Sequence, residues 1–141
     1  MKINFTKKQF RTLIELIYLG EWTANSSREV DRVEKYEELM EYIYSYADKF
    51  GFDDLVVHDK KLNGHYPTRE FEEEMENYID ENDEEVFWHQ LVTRLAMRDA
   101  KNEGTLHPDQ ESLITRGFEL ENEYEEEFET HGLARLKIQK D

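Results

Sequence analysis

The chain has 141 residues, 34 Asp and Glu against 18 Lys and Arg, a formal net charge of −16 and no cysteine. The missing thiols exclude disulfides, thiolate nucleophiles and cysteine-based zinc or iron–sulfur sites. The acidic balance argues against direct nucleic-acid binding, which needs a basic face to neutralise phosphates.

Leu, Ile, Val and Phe number 34, and the aromatic residues number 18, counts that belong to a folded rather than a disordered chain. The length fits one helical domain over 1–141. Thr12 and Glu15 interrupt the apolar run near the start, and no stretch reaches spanning length. The expectation is an untargeted cytoplasmic protein with no membrane partner.

In chain order, Thr6 and Gln9 have capping-box spacing, and Phe10, Leu13, Ile14, Ile17 and Tyr18 follow at helical intervals. Gly20 is the expected stop, with a short turn around Trp22. Ser26 and Glu29 predict a second cap. Val30, Val33, Tyr36, Leu39, Met40, Ile43, Ala47 and Phe50 then form one stripe, ended by Gly51 with Phe52 folding back. Tyr42, Tyr44 and Tyr46 read as core rim.

Residues 53–67 read as irregular, with a turn at Asn63-Gly64. A third helix is predicted over 69–81 with Phe71, Met75, Tyr78 and Ile79 inward. A fourth starts at Asn82-Asp83-Glu84-Glu85, carries Phe87, Trp88, Leu91, Val92 and Leu95, and ends at Gly104. A fifth opens at His107-Pro108-Asp109 and runs to His131, using Leu113, Ile114, Phe118, Tyr124 and Phe128. The two ends alternate apolar and polar residues and are expected to pair as a small two-stranded ribbon. The fold class is therefore all-α, an irregular bundle of about five helices.

Asp59, Asn63, Gly64 and Glu70 stand at positions 1, 5, 6 and 12 of an EF-hand calcium loop. A poorer copy begins at Asp99. Lys61 and Lys101 occupy position 3 in the two copies, where a cation repels the metal, and Gln110 replaces the last carboxylate. Asp59, Asn63 and Glu70 are thus the candidate ligands for calcium or magnesium; otherwise no cofactor is expected.

Nucleotide pyrophosphohydrolases of the MazG type hold magnesium with Glu-x-x-Glu and Glu-x-x-Asp on two helices. Glu34/Glu37, Glu38/Glu41, Glu70/Glu73 and Glu73/Glu76 supply the first pattern, and the second occurs nowhere. This leaves a magnesium-dependent nucleotide hydrolase as an alternative without assigned catalytic residues. The five histidines form no recognisable motif: His58-Asp59 lacks the upstream histidine of HD-type phosphohydrolases.

The charge is unevenly placed. Residues 70–85 hold ten acids and no base, and residues 119–129 hold seven acids and no base, while the rest balances 17 acids against 18 bases. Helical apolar spacing persists inside both blocks, so they read as outer faces of amphipathic helices. Such faces attract basic partners. The leading expectation is a non-enzymatic acidic binding protein for a basic macromolecule, whether as inhibitor, immunity-type protein or DNA mimic. The candidate contact residues are Glu72, Glu73, Glu76, Asp80, Glu84, Glu119, Glu123, Glu126 and Glu127.

Tyr66-Pro67-Thr68-Arg69-Glu70-Phe71-Glu72-Glu73, with Val86-Phe87-Trp88, Leu95-Ala96-Met97-Arg98-Asp99 and the Leu19-Gly20-Glu21-Trp22 turn, resembles small acidic helical bacterial proteins that carry no assigned activity. The resemblance implies a bacterial cytoplasmic setting and adds no site residues.

Overall fold

The computed structural model describes residues 2–104 and 109–140. Among these residues are four α-helices and one two-stranded antiparallel sheet: α1 (Lys7–Asn25), α2 (Glu34–Tyr44), β1 (Val56–Asp59), β2 (Gly64–Pro67), α3 (Arg69–Asn102) and α4 (Gln110–His131). The chain divides into two compact units, Met1–Asp80 and Glu81–Asp141.

In the first unit, the Thr6–Gln9 capping box forms as the spacing predicts. Gly20 does not stop α1. An interior glycine costs a helix about 1 kcal/mol against alanine, and α1 continues because Asn25 anchors its end. The Asn25 side chain is 1% exposed. Its Nδ2 donates to Glu21, and its Oδ1 accepts from the Val33 backbone N–H at 2.7 Å. That bond fixes residues 26–33 as a folded-back loop and delays α2 to Glu34, where a helix from Ser26 was expected. Arg32 secures the loop by reaching both Glu21 and Glu37. Val30, expected inside, is 95% exposed as a consequence.

After α2 the chain tightens into a 3-10 turn, Asp48–Phe50. Gly51 adopts a left-handed φ of 73°, and the Phe52 N–H reaches back to the Ala47 carbonyl. This is the fold-back that the Gly51-Phe52 pair predicts. It sets Phe52 beside Phe10, which also stacks on Phe50, in a core completed by Ile14, Tyr44, Ala47, Leu55, Val56, Phe71 and Met75.

The ribbon forms inside the chain rather than between its ends. Asp59 pairs with Gly64 across a four-residue loop, and His58 pairs with His65. Asp59 Oδ1 accepts from the Lys61 and Leu62 N–H groups, and Asn63 takes a φ of 50°. Closing so short a loop costs less entropy than joining distant termini. The described terminal residues 2–6 and 133–140 carry no strand, and Ile138 is 90% exposed.

Thr68 caps α3, its hydroxyl accepting from the Phe71 N–H and donating to the Asp54 carbonyl. The two helices expected at 69–81 and 82–104 are one helix of 34 residues. Asn82 to Glu85 form no cap, because neither glycine nor proline interrupts residues 69–102 and nothing forces a turn. Phe71, Met75 and Ile79 face inward as expected, whereas Tyr78 lies outside. Residues 80–87 are exposed on every side.

In the second unit, Val92, Ala96 and Ala100 form the buried stripe of α3, and Leu120 and Phe128 that of α4. Gly117 is buried, and a methyl group placed on it would sit 3.9 Å from the Met97 methyl carbon, so the helices approach closely there. Asp109 caps α4 by accepting from the Ser112 N–H, and Gly132 closes it. Ile114 and Phe118, expected inside, are exposed because Leu113, Gly117 and Leu120 occupy the contact face. The expected start at His107-Pro108 lies outside the described residues.

Candidate functional site

The second unit carries a cleft of about 550 Å³ between α3 and α4, with Asp99 and Glu103 on one side and Glu123 and Glu127 on the other. Among the described lining residues its cation is Arg116, whose guanidinium grips both oxygens of Glu103 and reaches Glu119 and Glu123 at 3.2 Å. These carboxylates, Glu103 first, push the Arg116 pKa further up and keep it charged. At the same cleft the Tyr124 hydroxyl donates to Asp99, which also accepts from Arg98 at 2.7 Å. The Arg98 hydrogen bond holds the Asp99 carboxyl below its ordinary 3.8, whereas burial is the largest cause raising the Tyr124 phenol. Among the described lining residues, carboxylates outnumber the guanidinium. The cleft suits a cationic group.

The predicted contact residues divide by partner. Glu73 pairs with Arg69, Glu119 and Glu123 with Arg116, and Glu127 with Arg135, while Glu84 accepts from the Trp88 indole N–H. Glu72, Glu76, Asp80 and Glu126 form no ion pair among the described residues; the last three are exposed, and Glu72 is half-buried beside Tyr18. The sequence blocks thus contain both engaged and free carboxylates. Asp99 and Glu103 were read only within the poorer calcium copy, and Arg116 was missed because it lies between the acidic blocks. Only their helical register, Asp99 and Glu103 one turn apart, signals a shared face.

The calcium frame maps onto a different structure. Asp59 spends its carboxylate on the hairpin loop, Asn63 ends that loop, and Glu70 lies beyond β2 in the first turn of α3. In the second copy, residues 99–102 are helical, so they form no loop, and residues 105–108 lie outside the described residues. Among the MazG-type pairs, Glu37 is held by Arg32, Glu41 by His65 and Glu73 by Arg69. Among the described residues, no group of three or more His, Asp and Glu side chains is placed to hold a metal ion.

Two histidines do come together, against the sequence reading. His58 and His65 face each other across the hairpin with ring centres 4.8 Å apart. Glu41 of α2 accepts from both the ring Nδ1 and the backbone N–H of His65, at 2.7 and 2.9 Å. The available signal was the Asn63-Gly64 turn, which sets residues seven apart on opposing strands.

Comparison with known protein families, characterised proteins and solved structures finds no significant match. No helix among the described residues is long and apolar enough to cross a membrane.

Proposed function

We propose that this protein is a non-enzymatic binding protein for a basic macromolecular partner, engaged through the carboxylates of α3 and α4. The reading rests on one observation. Residues 70–85 and 119–129 hold seventeen carboxylates, and among the described residues only five of them, Glu73, Glu74, Glu119, Glu123 and Glu127, meet a cation. Unneutralised charge of one sign, held on regular helices, speeds association with an opposite surface and selects against acidic competitors. The α3–α4 cleft supplies a place for a lysine or arginine side chain of that partner. The inhibitor, immunity-type and DNA-mimic roles share this chemistry.

Affinity capture from the native cell tests it, with the full chain as bait at low and moderate salt. A bait carrying Glu76→Gln, Asp80→Asn and Glu126→Gln removes charge without touching an ion pair. The expected result is a basic protein retained at low salt, weakened at moderate salt and depleted on the neutralised bait. Recovery of no basic protein, or equal recovery on both baits, rejects the reading.

A further inference from the structure

The hairpin offers chemistry distinct from the acidic helices. His58 and His65 are direct cross-strand partners, so their side chains leave the same face of the ribbon. Their backbone positions are fixed by the ladder and by the Asp59 loop. Their ring centres lie 4.8 Å apart, with planes inclined by 54°. A tetrahedral ion about 2.0–2.1 Å from one nitrogen of each imidazole places the two ring centres about 5 Å apart. The pair therefore already has the spacing of two ligands on one ion.

Glu41 supplies the usual companion of such a ligand. An ionised carboxylate only accepts hydrogen bonds, so the proton between Glu41 Oε1 and His65 Nδ1 sits on the nitrogen. A neutral ring protonated at Nδ1 carries its lone pair on Nε2. Histidines that bind metals are commonly oriented this way by a carboxylate behind them. The second Glu41 oxygen accepts from the His65 backbone N–H, so the same side chain fixes both ring and strand.

We propose that His58 and His65 form a two-histidine site for a borderline divalent cation, of the zinc, nickel or copper class, with Glu41 as the positioning residue of His65. Water completes the coordination, since the protein supplies two ligands. Imidazole donors select these ions over calcium and magnesium, which prefer all-oxygen shells. The net charge of −16 draws divalent cations toward the chain. A bound ion clasps β1 to β2, while Glu41 ties the pair to α2.

The test must separate this site from diffuse binding to carboxylates. The metal-free full chain is titrated with Zn(II) by calorimetry, while histidine ring signals are followed by NMR. The expected result is a saturable step that moves the His58 and His65 rings and no other histidine. His58→Asn and His65→Asn should each weaken that step at least 10-fold, and Glu41→Gln about 10-fold, as loss of an orienting carboxylate does. Far-UV circular dichroism checks that the variants keep the fold. Paramagnetic broadening by Ni(II) in the unaltered protein locates the ion independently of any variant, and is expected at residues 58 and 65. Ring signals unmoved by millimolar Zn(II), broadening confined to α3 and α4, or a His58→Asn/His65→Asn double variant titrating like the parent would overturn the proposal.

Discussion

Tyr44 concentrates the energetics of the first unit in one side chain. It is fully buried, and its hydroxyl has no hydrogen-bond partner among the described residues. A buried polar group left unpaired costs about 1–3 kcal/mol. Tyr44→Phe removes the orphan and keeps the ring, so it should raise stability to urea by about 1 kcal/mol. The titration of Tyr44 has a definite sign. Burial foremost, then Tyr18 and Glu21, lift its phenol well above the ordinary 10.0. A group harder to ionise folded than unfolded contributes stability that is whole below its unfolded pKa and lost as pH rises toward its folded one. Stability should therefore fall above about pH 10, and urea melts across that range should show a smaller fall in Tyr44→Phe. Equal alkaline losses in both proteins would show that Tyr44 contributes nothing to that limb.

Among the elements, α3 is the least evenly supported. Its ends bury Phe71, Met75, Val92, Ala96 and Ala100, while residues 80–87 bury nothing. Asp80/Glu84 and Glu81/Glu85 set like charges one turn apart, each costing about 0.2–0.5 kcal/mol. Backbone amides at 81–87 should exchange faster than those at 73–79 and 92–98, measured by native-state hydrogen exchange. Uniform protection along α3 would contradict this. The same contrast explains what the sequence disclosed. The Thr6 cap, the Gly51-Phe52 closure, Phe71, Met75 and Val92 were legible, because caps and apolar spacing act locally. The loop at 26–33 was not, because it depends on Asn25 reaching eight residues ahead to Val33. Nor was the unbroken α3: Asn82 to Glu85 resemble a cap, and only the absence of a competing turn shows that they are not used. The candidate site was half legible. Block composition exposed the free carboxylates, while the Arg116 network and the His58–His65 pair needed tertiary neighbours.

For the molecule as a whole, the excess of acids works against its own folding. The ten carboxylates of residues 70–85 and the seven of residues 119–129 repel their neighbours within each stretch, and salt screens exposed charges over about 10 Å at 0.1 M. Raising sodium chloride from about 10 mM to about 0.2 M should lift the thermal midpoint. A midpoint that falls would mean that ion pairs such as Arg11–Glu74 and Arg116–Glu103 outweigh the repulsion. Neutralisation also has a direction along the chain. A cation settling on Asp80, Glu81, Glu84 and Glu85 would relieve the like-charge repulsion in the exposed middle of α3 and so favour its helical form. By thermodynamic reciprocity, the helical form must then hold that cation more tightly than the frayed one. A basic partner bound at the exposed turns of α3 would therefore register as a gain in helix, read by far-UV circular dichroism.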